Sequence, residues 1–140
     1  MIDAYQPDNI FQKILNGEIP AHKVYEDEKT LAFMDIMPVA DGHVLVIPKC
    51  EAVELSDLPA DYALAVFETA KKVMNAQRQV LNTQGIVQMQ LNHHEAGQSV
   101  FHYHMHLIPT HLHNITTHES TPADPKALAS LAEKLALAIA

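Results

Sequence analysis

Residues 101–109 read FHYHMHLIP and place a histidine at every second position, His102, His104 and His106. Side chains at i, i+2 and i+4 share one face of a strand, with successive members roughly 6.7 Å apart. The outer two are then about 13 Å apart, so one metal ion cannot comfortably take all three. Two neighbours can chelate, and His43 or His93 could complete such a site. A cupin-like pattern, with a glutamate shortly after a His-x-His pair, fails here because residues 107–110 are Leu, Ile, Pro and Thr. A solvated face is the plainest alternative, in a chain with 10 histidines.

The same three rings suit nucleophilic catalysis. Neutral imidazole attacks near pH 7 because its pKa is about 6.5. On phosphorus it forms a phosphohistidine-type intermediate that water then opens. His104 is the natural nucleophile, since it alone has a histidine on each side. The non-bridging oxygens need donors, which neighbouring histidines, the N–H groups of a glycine-containing loop and the Asn92 amide can provide. A leaving group needs a proton, which Ser99 or a histidine could relay. All of these parts lie between Asn92 and His106.

Short elements must hold that stretch. The segment PDNIFQKILNGEIP (7–20) carries Ile10, Phe11, Ile14 and Leu15 at helical spacing. Asp8 suits its N-cap, Gly17 its stop, and Pro20 marks the break. Strand-like runs cover 23–27, 30–36 and 43–49, with a Pro- and Gly-containing loop at 37–42. The longest helix runs from about Pro59 to Asn82, with Pro59 in its first turn and Gly85 beyond its end. Residues 86–92 alternate as a strand, 92–99 form a polar loop, and 100–108 form the histidine strand. A C-terminal helix spans 124–140, with Asp124 as cap and Pro125 at its first position. About five strands joined by short connections, with two or three helices, give an α+β class with one mainly antiparallel sheet.

The chain has 140 residues, the length of one domain over 1–140, and no linker or repeat divides it. A hydrophobic fraction of 48% supports a real core without staples. Cys50 is the single cysteine, so no internal disulfide forms, and a reducing compartment fits. The N-terminus lacks a signal-peptide pattern, and no apolar run approaches a membrane span. A cytoplasmic protein with no membrane partner is expected. Net charge is −8, which repels a nucleic-acid polymer but leaves small nucleotides open.

The motif HYHMHLI (102–108) resembles that of the histidine triad (HIT) family of nucleotide hydrolases and transferases, His-φ-His-φ-His-φ-φ with φ apolar. The stretch from Ile10 to Lys49 looks like the N-terminal half of bacterial members, and AGQSV (96–100) is the family's wording ahead of the triad. The resemblance implies a single HIT-like domain that transfers a nucleotidyl group, usually adenylyl, without a cofactor. It places His104 at the nucleophile, His106 on the phosphate, His102 in support and His43 as a further active-site histidine. Asn92, Gly97, Gln98 and Ser99 match the phosphate and leaving-group loop. Asp35 stands where many members hold the ribose hydroxyls, with Ile36 beside the base. A homodimer is implied, joined through the long helix. That helix carries Tyr62 and Val66 but also Leu64 and Phe67 on a second side.

Three departures matter. Many bacterial members bind zinc through two cysteines, a histidine after IPK, and the first triad histidine. Here the outside positions hold Asn9, Gln12 and Glu51, so no structural zinc is expected. Thr110 stands where an arginine is usual. Cys50 reads as a small half-buried side chain, and His93, His94, His111, His113 and His118 as mostly solvated. His93 and His94 are near enough to the loop to shape leaving-group preference. The first reading is an adenosine 5′-phosphoramidate hydrolase that cleaves a P–N bond and releases AMP. A dinucleoside polyphosphate hydrolase that cleaves P–O–P is the runner-up. Ser99 mildly favours the first, because a serine there suits protonation of an amine. A nucleotide-binding adaptor with vestigial activity, and a metal-binding histidine protein, remain alternatives of another class.

Overall fold

The computed structural model describes residues 2–116 and 121–140. His118 and Ser120 lie outside these residues. The elements in order are α1 (Ile10–Leu15), β1 (Lys23–Glu26), β2 (Thr30–Met34), β3 (Val44–Pro48), α2 (Ala60–Val80), β4 (Val87–Met89), β5 (Met105–Ile108), α3 (Leu112–Thr116) and α4 (Pro125–Ile139). Short 3-10 turns add Leu55–Asp57 and His94–Ala96. The five strands form one antiparallel sheet in the order β1-β2-β3-β5-β4. The α+β expectation holds. No helix among the described residues is long and apolar enough to cross a membrane.

Both faces of the sheet are covered, so β2 and β3 are buried along their whole lengths. Such strands read as unbroken apolar runs rather than as alternating ones. Val44 and Val46 pack with Val66 and Val73 of α2 and Leu135 of α4 in the larger core. Leu45 and Ile47 turn to the other face and pack with Phe11 and Ile14 of α1. β5 pairs with β3 through Val44 opposite Leu107 and Leu45 opposite His106. The register therefore puts Met105 and Leu107 in the helix-covered core and His106 on the α1 face.

Several boundaries differ from the expectation. The N-cap of α1 is Asn9, not Asp8: its side chain accepts from Gln12 N–H at 3.0 Å. Gly17 does close that helix, at φ +78. α4 begins as read, with Asp124 accepting from Lys126 N–H and Pro125 at the first position. The histidine strand is shorter than 100–108: β4 ends at Met89, opposite His106, and the ladder with β3 ends at Val46 opposite Met105 although β3 runs on to Pro48. Upstream of Met105 the chain leaves the ladder. Tyr103 N–H instead bonds Ala52 O at 2.8 Å. Helix α3 was not foreseen, since five residues carry too little periodicity to signal it.

Candidate functional site

Although His102 and His104 lie outside the strand, the three rings still form a row on the α1 face. The His104 and His106 ring centres are 5.1 Å apart. Phe11 stands edge-on to His104 at 4.9 Å and to His102 at 6.4 Å. A cleft of about 410 Å³ opens beside this row. Its lining includes Phe11, Asp35, Ile36, Ser99, His104 and His106.

Hydrogen bonds fix the tautomers. His104 Nδ1 lies 2.7 Å from His102 O. A carbonyl only accepts, so Nδ1 carries the proton and Nε2 keeps its lone pair. Val39 N–H donates to His43 Nδ1 at 3.1 Å, so the His43 proton is on Nε2. That Nε2–H faces His106 Nδ1 at 2.9 Å and the Asp35 carboxylate at 3.4 Å. His106 Nδ1 then accepts, which leaves its own proton on Nε2 as a donor. One row thus presents a lone pair on His104 and an N–H on His106.

Burial keeps these rings neutral. It pulls His106 down to about 3, helped by the repulsion that a proton on His106 would meet from His104 and His43 if they too were protonated. Burial also lowers His104, against the pull of its bond to the His102 carbonyl and of the Asp35 charge. His102 falls to about 4, again chiefly from burial.

The other expected residues are placed as follows. Asp35 ends β2 and its carboxylate accepts from Met37 N–H at 2.8 Å while facing His43. Ile36 is exposed at the cleft mouth, at 57%. Ser99 is exposed and lines the cleft. Asn92, Gly97 and Gln98 are not in that lining. The Asn92 side-chain Oδ1 accepts from Leu55 N–H and from the Gln90 amide. Gln98 is buried, donates to Val53 O and Val100 O, and accepts from His93 N–H. Gly97 takes φ +107 at the end of the 94–96 turn, a left-handed conformation that side chains resist. These three residues shape the loop that delivers Ser99. His94, His111 and His113 are exposed, while His93 is half-buried. Tyr5 and Phe11 contact the row yet carried no signal of their own in the sequence. Phe11 read only as helix core.

Two groups among the described residues hold metal-type ligands within 4.8 Å of one another: Asp35 with His43 and His106, and His93 with His94 and Glu95. In the first, the facing ring atoms already bond each other, so a cation would have to displace that bond. At the family's zinc position, Asn9 and Gln12 offer amides and both His102 ring nitrogens are engaged. These residues do not fit zinc.

Comparison with known proteins gives a consistent picture. The HIT domain family matches residues 16–113. Protein hit of Bacillus subtilis is 46% identical over 100 residues, covering 71% of this chain and 69% of that one. An adenosine 5′-monophosphoramidase of Candida albicans is 40% identical over 104 residues, covering 71% and 68%. A Hit-like protein from Bartonella henselae superposes with a TM-score of 0.89 at 36% identity, covering 97% of this chain and 99% of that one. A Zn-bound histidine triad family protein from Mycobacterium smegmatis gives 0.80 at 31%, covering 94% and 93%.

Proposed function

This chain belongs to the HIT domain family, and on that premise we propose that it hydrolyses adenosine 5′-phosphoramidates through a covalent adenylyl intermediate on His104. One observation carries the reading: the bond from His104 Nδ1–H to His102 O leaves the other ring nitrogen unprotonated beside the cleft. The similarity to an adenosine 5′-monophosphoramidase supports the substrate class.

In the first step His104 Nε2 attacks phosphorus and the P–N bond breaks. The departing amine takes a proton relayed by Ser99. His106 Nε2–H donates to a non-bridging oxygen, where negative charge builds in the transition state. In the second step water attacks phosphorus and gives its proton back through Ser99, the bond from phosphorus to His104 Nε2 breaks, and AMP leaves. The Asp35 carboxylate holds the ribose hydroxyls. Apolar residues near the mouth, Ile36 among them, receive the base and discriminate weakly among bases. Asn92, Gly97 and Gln98 act by holding the loop under the phosphate. A homodimer is part of the proposal, supported by Leu64 and Phe67, which are 60% and 50% exposed on α2.

The test is mass spectrometry of protein quenched during turnover of an adenosine phosphoramidate, without acid, for the wild type beside His104→Ala. A transient gain of one AMP on the peptide spanning 100–109, absent from the variant, is the expected result. Turnover that survives in His104→Ala removes this residue from the nucleophile role.

A further inference from the structure

The N-terminal segment ahead of α1 brings one side chain to the histidine row. The Tyr5 hydroxyl lies 2.6 Å from His102 Nδ1 and 3.0 Å from Gln12 Oε1. His102 is fully buried, and its Nε2 is 2.9 Å from Pro48 O. A carbonyl only accepts, so the ring proton sits on Nε2 and Nδ1 needs a donor. The Tyr5 O–H has two acceptors in reach, Gln12 Oε1 at 3.0 Å and His102 Nδ1 at 2.6 Å, and the shorter contact takes the proton. Burial raises the Tyr5 phenol above its ordinary value, with Asn9 bonding against that and the Glu51 charge adding to it. The group therefore stays a donor across the working range.

The hydroxyl thus touches Gln12 and His102, two of the positions at which the resemblance puts zinc ligands, and here the amide and the engaged ring do not fit the metal. His102 lies outside the ladder, because β5 begins only at Met105, so ring contacts and loop bonds hold it. The backbone at Tyr103 bonds Ala52, and the ring is pinned at both nitrogens. The carbonyl of His102 is in turn the acceptor that orients His104.

We propose that Tyr5 is a positioning residue of the triad, whose hydroxyl stands in place of a metal. Pro48 O fixes the His102 tautomer, the Tyr5 O–H holds the ring from its Nδ1 side, and the backbone carbonyl of the residue so held aims the His104 ring. Only the kinetic consequence rests on the function proposed above.

The test uses full-length protein labelled with nitrogen-15 in histidine. In the wild type, His102 shows a single tautomer with the proton on Nε2 and a hydrogen-bonded Nδ1. In Tyr5→Phe the Nδ1 signal moves to the unbonded position and His104 populates both tautomers. The kcat on an adenosine phosphoramidate falls on the order of tenfold, with little change in KM. If Tyr5→Phe does not fold, 3-fluorotyrosine at position 5 keeps the ring, donates more strongly and shifts the His102 Nδ1 signal further the other way. Ring signals that ignore both changes overturn the proposal, as does a kcat that holds while they shift. A His102 signal that moves with one equivalent of zinc chloride overturns it too. Wild-type protein without turnover would sink the proposed function and leave the ring signals to decide this inference.

Discussion

At the residue scale the site is organised by protons. A chain of bonds runs from Val39 N–H through His43 to His106, and a separate bond runs from His104 to the carbonyl of His102. Each backbone group dictates one tautomer, and the outcome is a lone pair beside a donor. Such an arrangement works only while the rings are neutral. Burial lowers both His104 and His106, the latter to about 3. A nucleophile with a lowered pKa remains active further into acid, so the acid limb moves below the ordinary histidine value. The value of kcat/KM should thus stay level from pH 8 to about pH 6 and fall only below that. An acid limb centred at the ordinary histidine value, measured with a neutral leaving group, would count against neutral buried rings. Most of this was legible in the sequence, because the His-x-His-x-His period states its own face. Tyr5 was not legible, since its partner lies 97 positions away and only the fold brings them together. Gln98 shows the opposite gap: its loop is recognisable, but a sequence cannot show that the amide turns inward to Val53 and Val100.

At the element scale, α2 clamps the site from behind the sheet. Gln77 is fully buried, and its amide donates to Gly42 O at 2.8 Å and to Leu107 O at 3.1 Å. Those carbonyls belong to the residues next to His43 and His106. The bridge holds two strands at the spacing their side chains need for the 2.9 Å bond on the other face. Leu81 closes against Gly42, where an added Cβ would lie 2.4 Å from Leu81 Cδ1. Replacing Gln77 by Leu leaves buried carbonyls without this donor, while also removing the unpartnered Oε1. The expected cost is about 2 kcal/mol, read as a lower urea midpoint with an unchanged slope. An unchanged midpoint would mean that the sheet holds the pair unaided. The long helix was plain from its apolar spacing, whereas this clamp was not. A glutamine in an otherwise apolar stripe looks like a solvated position until its partners are seen. The strand ends were hard to place for a related reason. β5 begins where its pairing with β3 and β4 begins, and that depends on pairing rather than on local sequence.

At the scale of the whole molecule, the neutral histidines of the row tie folding to pH. A ring whose folded pKa lies below its unfolded value binds fewer protons in the folded state. Its contribution is therefore complete above the unfolded pKa and is lost as pH falls towards the folded one. For His102 that window runs from about 6.5 down to about 4. By pH 5 this ring alone costs about 2 kcal/mol of stability relative to pH 7. His106 works in the same direction down to about 3, and His104 adds to it. Carboxylates held low by hydrogen bonds, Glu26 by Lys49 and Lys23 above all, contribute their loss chiefly below about pH 5, where an unfolded carboxylate starts to protonate. The loss between pH 6.5 and pH 5 thus belongs to the histidine row. Unfolding free energies from urea titrations at pH 7, 6 and 5 should fall by several kcal/mol in total, a large share of what a domain of this size possesses. Flat midpoints across that interval would show the rings charging freely in the fold, which the packing of Phe11 and Tyr5 against them forbids. The same burial that keeps the nucleophile unprotonated makes the fold sensitive to acid, so catalytic readiness and acid stability are set by one group of contacts.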